Sequence, residues 1–149
     1  MKRDEALAPL SRDHHQALYQ ALQLKRAEDA TAEQALRGMI EFFDAHGALH
    51  FRVEEEVLLP RFVRDGGADP TGAAIARVLT DHVWIRARPA GLREAGEPSL
   101  EELHELGERL DAHVRHEERV LFPEIEKALS PEQLLELGRA VEAAEAAGG

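Results

Sequence analysis

One phrase of ligand-type residues occurs twice in this chain. His50-x-x-x-Glu54-Glu55-x-x-Leu58-x-Pro60 recurs 63 residues later as His113-x-x-x-Glu117-Glu118-x-x-Leu121-x-Pro123. On a helix, a histidine and a glutamate four apart sit one turn apart on the same face. Each copy therefore aims an imidazole and a carboxylate in one direction. Two such faces turned toward each other would bring two nitrogens and two carboxylates together, a place for two metal ions. The chain has no cysteine, so the donor set is nitrogen and oxygen. That suits iron, manganese or zinc and disfavours copper(I) and iron–sulfur clusters. Carboxylates that bridge favour a two-metal site.

Further histidines stand where a bundle could bring them to the same centre. Asp13-His14 and Asp81-His82 repeat an Asp-His pair, and His15 and His46 are additional candidates. His46 lies one turn before His50. His104 and His116 fall off the apolar stripes and are expected at the surface. Glu55, Glu56 and Glu118 are expected on a solvated acidic face or as acceptors behind the ligands; Glu118 also stands five residues after His113. A ferritin-type site needs paired Glu-x-x-His motifs, and the single Glu101-x-x-His104 lies away from the leucine stripe. The zinc-protease motif, the P-loop and the dinucleotide fingerprint are absent. Ser11 and Ser99 read as helix caps, not nucleophiles.

Five helical stretches would position these residues. The first runs from about Leu10-Ser11 to Ala30, with Leu10, His14, Ala17, Leu18 and Ala21 at helical spacing. Thr31-x-x-Gln34 reads as a capping box. It opens a long helix carrying Leu36, Met39, Ile40, Phe43, Leu49, Val53 and Val57, stopped by Asp65-Gly66-Gly67. Asp69-Pro70 reads as an N-cap with proline at the first helical position, ahead of Ile75, Val78, Leu79, His82 and Ile85. Ser99-x-x-Glu102 opens a fourth helix with Leu103, Leu106, Leu110, His113, Val114 and Leu121, and Ser130-Pro131-x-Gln133 caps a short fifth. Pro60, Pro89 and Pro123 are expected to kink or end their helices. The expectation is an all-α, up-down-up-down four-helix bundle over about residues 10–128, with an extra C-terminal helix over about 131–146, in one domain spanning 1–149.

Bulk properties narrow the function. With 29 acidic against 18 basic residues the formal net charge is −11, the wrong sign for a nucleic-acid footprint or an anionic membrane. No apolar run approaches a membrane span and no signal core is seen, so a cytoplasmic location is expected.

The duplicated phrase, with one histidine per helix, resembles the hemerythrin-like, or HHE cation-binding, family over roughly residues 10–128. The resemblance implies a four-helix bundle around a non-haem centre of two iron ions, oxo- or hydroxo-bridged, with zinc or manganese as lesser alternatives. It implies Glu54 and Glu117 as bridges and His50, His82, His113 and one of His14 and His15 as terminal ligands. Leu18, Tyr19 and Leu22 follow His15 at the family's helix-one spacing and favour it over His14. Oxygen-carrying members place a second histidine one turn after the third-helix histidine, where this chain has Arg86. They also use His-x-x-x-x-Asp on the last helix. Four histidines with two glutamates is closer to the HHE proteins that repair iron centres. The expected partner is a small ligand (oxygen, nitric oxide or peroxide) bound for sensing, scavenging or stress response, with the chain a monomer or homodimer. The alternatives are iron storage, delivery or repair, or a metal-stabilised structural bundle. Leu18, Leu49, Val53, Ile85, Leu110 and Val114 are expected to line the site, with Trp84 as a wall.

Overall fold

The computed structural model describes residues 2–148, with Ala95 as backbone only. Among the described residues there are helices and no strands. Helix α1 is Ala8–Lys25. Helix α2 spans 32–66 without a break, from Ala32–Phe42 through to Leu59–Gly66. Helix α3 is Ala73–Ala95, α4 spans 100–128, and α5 is Pro131–Gly148. The first four form the bundle. α1 packs on α2 and α4, α3 packs on α4 and α2, and α5 lies across the second half of α2.

Apolar residues at helical spacing fill the bundle in two clusters. One joins Leu7, Leu10, Leu58, Val78, Leu121 and Ile125 with α5 residues Leu137 and Val141. The other joins Ala21, Leu24, Met39, Ile85, Leu106 and Leu110. Burying a leucine or isoleucine side chain contributes about 1.5–3 kcal/mol, so the two clusters supply most of the drive to fold. Between them lies a layer of buried polar groups: His14, His50, Glu54, Asp81, His82, His113 and Glu117. At Gly107, α1 and α4 meet closely. A Cβ there would stand 2.7 Å from Ala21 O and 2.9 Å from Leu24 Cβ.

Helix ends follow their chemistry with some corrections. Gly67, at φ 70°, ends α2 in the left-handed conformation that glycine adopts without strain. Ser130 and Gln133 form the expected reciprocal cap: Ser130 N donates to Gln133 Oε1 at 2.8 Å and Gln133 N to Ser130 Oγ at 3.1 Å. Ser99 accepts from Glu102 N at 3.5 Å. Ser11 is no cap, because α1 starts earlier, with Leu7 as N-cap and Pro9 in the first turn. Thr31 occupies the N-cap position of α2, but its Oγ1 takes Glu28 N at 2.9 Å instead of a helix amide. Asp69 likewise bonds Thr71 N at 2.9 Å, leaving Gly72 as the N-cap of α3.

The prolines neither end nor break their helices. Pro89 lies inside α3. Pro60 and Pro123 each follow a π turn, Glu54–Leu58 and Glu117–Leu121. In these turns Leu59 N reaches Glu54 O and Phe122 N reaches Glu117 O, one residue further back than in an α-helix. The wider turn takes up the clash that a proline ring makes with the carbonyl four residues earlier. A third π turn, Phe43–Gly47, precedes His50.

Candidate metal centre

Each bundle helix sends one histidine into the polar layer, and α2 and α4 each add the glutamate one turn later. The ligand-type atoms fall into two groups, each within 4.8 Å: His14, His50, Glu54 and Glu117; and Glu54, His82, His113 and Glu117. All six residues are buried. The two glutamates are common to both groups and divide their oxygens between them. Glu54 Oε2 lies 3.2 Å from His50 Nε2, and Glu54 Oε1 lies 3.2 Å from His82 Nε2. Glu117 Oε1 lies 2.8 Å from His14 Nε2, and Glu117 Oε2 lies 3.4 Å from His113 Nε2.

Despite this crowding, His50 Nε2, His82 Nε2, His113 Nε2, both Glu54 oxygens and Glu117 Oε2 make no hydrogen bond. An unpaired buried polar group costs about 1–3 kcal/mol, so six at one point is a large uncompensated cost. Two imidazole nitrogens and two carboxylate oxygens on each side are the donors that a cation of the iron, manganese or zinc type takes. The residues therefore fit a pair of such ions.

Behind the centre, every inward histidine has a carboxylate at Nδ1. His14 Nδ1 meets Glu118 Oε2 at 2.6 Å and His82 Nδ1 meets Glu55 Oε2 at 2.6 Å. His50 Nδ1 meets Asp13 Oδ2 and His113 Nδ1 meets Asp81 Oδ2, both at 3.0 Å. A carboxylate at Nδ1 assigns a proton to that nitrogen, so a ring that gives up its second proton to a cation presents the Nε2 lone pair inward. Asp13 and Asp81 were missed as ring holders in the sequence. Their signal was the repeated Asp-His pair, but each aspartate serves the histidine of the next helix and not its own neighbour. Ser11 was also missed; its Oγ donates to Glu118 Oε2 at 2.7 Å.

The electrostatics follow the contacts. Burial opposes charge on His14, but its bonds to Glu117 and Glu118 outweigh burial and raise its pKa to about 9. His50 is raised well above the ordinary range: burial is overcome by the charge of Glu54 and the bond to Asp13. His113 is raised in the same sense by Glu117 and Asp81, against burial. Burial also opposes ionisation of Glu117, yet His113 and His14 hold its carboxyl well below the usual range.

Two expected residues lie elsewhere. His15, favoured on helix one, is exposed, as is its neighbour Tyr19 at 60%. His14 is the buried one, in line with Leu10, Ala17 and Ala21. His46 is exposed in the third π turn and belongs to neither group. His104 and His116 bond the carbonyls of Ala27 and Ala74, at 2.8 and 3.4 Å.

A cavity of about 20 Å³ adjoins His14, His50 and His113, walled by Ala17, Met39, Phe43, Ile85, Leu110 and Val114. That is room for about one water-sized molecule. Leu18, Leu49 and Val53 do not line it. Trp84 stands apart as well, between Arg88 and Arg109 at 5.2 and 4.8 Å.

The family model of the hemerythrin HHE cation-binding domain matches residues 7–125. No curated protein and no solved structure matches the chain. No helix among the described residues is long and apolar enough to cross a membrane.

Proposed function

The chain belongs to the hemerythrin HHE cation-binding domain family, and we propose that it is a non-haem di-iron protein that binds oxygen, nitric oxide or peroxide for sensing, scavenging or stress response. The observation that carries this is the set of six buried, unpaired donor atoms in two groups of ligand-type residues that share both carboxylates. In this proposal His14 and His50 would hold one ion, His82 and His113 would hold the other, and Glu54 and Glu117, common to both groups, would contribute to each. Bound iron would supply one-electron redox chemistry and affinity for such small ligands. The protein contributes the rest. Asp13, Glu55, Asp81 and Glu118 hold a proton on each Nδ1, raise the basicity of the ring and aim its Nε2 inward. The 20 Å³ cavity beside His14, His50 and His113 receives a diatomic-sized guest, and its apolar walls exclude bulk water.

Elemental analysis of freshly purified, untagged protein, with an ultraviolet–visible spectrum, tests it. About two irons per chain with near-ultraviolet ligand-to-iron charge-transfer bands is the expected result. Zinc or no metal after iron-supplemented expression would overturn it.

Metal storage or delivery has one observation in its favour. A second cavity, about 120 Å³, is lined by Asp13, His46, Leu49, His50 and Glu145. It brings ligand-type groups up to His50 and would ease ion exchange. Passage of iron to a chelator within minutes would favour this function, and retention through repeated oxidation and reduction would count against it.

A further inference from the structure

Two of the inward histidines are held by similar three-part arrangements of arginine, carboxylate and phenyl ring. On α3, Arg86 forks onto Glu55, with Nη1 2.6 Å from Oε2 and Nη2 3.2 Å from Oε1. Glu55 meets His82 Nδ1 at 2.6 Å. The same guanidinium lies 5.3 Å over the ring of Phe51, and Phe51 stacks on His82 at 3.7 Å and 12°. At the other position the arginine spans two acceptors: Arg3 Nη2 donates to Glu118 Oε1 at 3.3 Å and to Glu118 O at 2.7 Å, Arg3 Nη1 donates to Glu126 Oε1 at 2.6 Å, and Glu118 meets His14 Nδ1 at 2.6 Å. Arg3 lies 5.4 Å over Phe122, which stacks on His14 at 5.5 Å and 12°.

Duplication explains only half of this likeness. Glu55 and Glu118 are equivalent in the repeated phrase, and His14 and His82 follow equivalent aspartates. The arginines and rings are not equivalent. Arg3 precedes α1, whereas Arg86 lies inside α3. The residue 63 places after Phe51 is Val114, and the one 63 places before Phe122 is Leu59. The same kinds of contact, an arginine on the carboxylate at Nδ1 and over the ring stacked on the imidazole, are thus assembled from unrelated positions, which points to a shared physical requirement. A bond at Nδ1 fixes rotation within the ring plane, and a stacked phenyl fixes the tilt of that plane. Together they aim Nε2, and metal–nitrogen bonds tolerate only a few tenths of an ångström of error.

We propose that Arg3 and Arg86 are equivalent positioning residues, each holding one inward histidine, His14 or His82, through both the carboxylate at its Nδ1 and the ring stacked on it. The consequence for metal binding rests on the di-iron function proposed above; the clamp on the imidazole does not. Lysine cannot replace either arginine fully, because a point charge lacks the planar fork and stacks poorly on a ring.

The test compares Arg3→Gln, Arg86→Gln, Arg3→Lys and Arg86→Lys with the unmodified chain. Imidazole nitrogen NMR signals are followed in metal-free protein, and release of bound ferrous iron to a chelator in loaded protein. Arg86→Gln is expected to shift the His82 signals alone and to speed release of one of two ions about tenfold, the low end of losses seen for outer partners of ligands. Arg3→Gln is expected to do the same to His14 and the other ion. Each lysine variant should fall between. Unchanged His14 and His82 signals, or equal shifts in all four histidines, would overturn the proposal. If the unmodified chain holds no iron, the di-iron function fails, while the NMR comparison still decides the clamp. Should a glutamine variant not fold, its lysine counterpart gives the same comparison.

Discussion

Asp81 precedes His82 in the chain but holds His113, with its Oδ2 3.0 Å from His113 Nδ1. The carboxylate is buried and also meets Arg109 Nε at 3.3 Å and Arg77 Nε at 3.6 Å. Burial disfavours its ionisation, but His113 and the two arginines keep its pKa below the usual value. Asp81→Asn removes the charge that fixes the tautomer. Metal affinity should fall about 10–100-fold with helical content unchanged, as read by chelator competition and circular dichroism. Unaltered affinity would remove Asp81 from the site.

The ligand assignment predicts an unequal response among histidines. His50→Ala and His113→Ala should each remove most of the bound metal, and so should His14→Ala. His15→Ala and His104→Ala should leave the content intact. Metal analysis of the five purified variants decides, and equal content across all of them would undo the assignment.

Raising the pH should destabilise the metal-free protein. The folded pKa of His14, about 9, stands above its ordinary 6.5. Its stabilising contribution is therefore fully present below about pH 6.5 and is lost as pH rises through about 9. The melting temperature should decline across that window, and His14→Gln should flatten the decline. Glu117, held low, contributes in the opposite sense and loses its contribution only in acid. Loading at pH 7 should release protons, because a metal-bound nitrogen cannot keep one.

Loaded protein should melt higher than chelated protein. A free ion at a hundred times its dissociation constant adds about 2.7 kcal/mol to the folded state. Calorimetry with and without chelator reads this directly, and identical melting would speak for a bundle that holds no ion.

Gly107→Ala sets two effects against each other. Alanine gains up to about 1 kcal/mol of helix propensity over glycine. Its Cβ would lie 2.7 Å from a backbone oxygen, Ala21 O, which has no rotamer by which to move aside. Forcing extra atoms into a packed contact costs about 1–3 kcal/mol, so the net change should be destabilising. A higher melting temperature would show that α1 and α4 can separate there without penalty.

The sequence carried the bundle and much of the polar layer for a simple reason. His50 with Glu54, and His113 with Glu117, are locked to one face by the helical turn, so burying Val53 or Val114 beside them settles their direction. His14 and His15 are adjacent and point about 100° apart. Both have apolar neighbours at helical spacing, and only packing shows that Tyr19 faces outward while Ala17 and Ala21 face inward. Pro60 and Pro123 signal a disturbed helix, but a π turn and a kink begin from the same residue types, so the form of the disturbance was not legible. The acceptors behind the histidines lie on other helices, where spacing along the chain gives no direct guide. Ser11 shows the same limit: it looks like a cap until Glu118 is brought beside it.

The pattern of acceptors has a consequence for assembly. Asp13 and Asp81 hold histidines within their own halves of the duplicated chain, whereas Glu55 reaches His82 and Glu118 reaches His14 across the midline. Each half carries two histidines and a glutamate, yet borrows from the other the carboxylate that orients one of its rings. The halves are thus interlocked, like two hands each gripping the other's wrist. A chain cut in the turn near Gly67 would leave two pieces, neither able to aim all of its own ligands, and the complete centre would form only when the pieces came together.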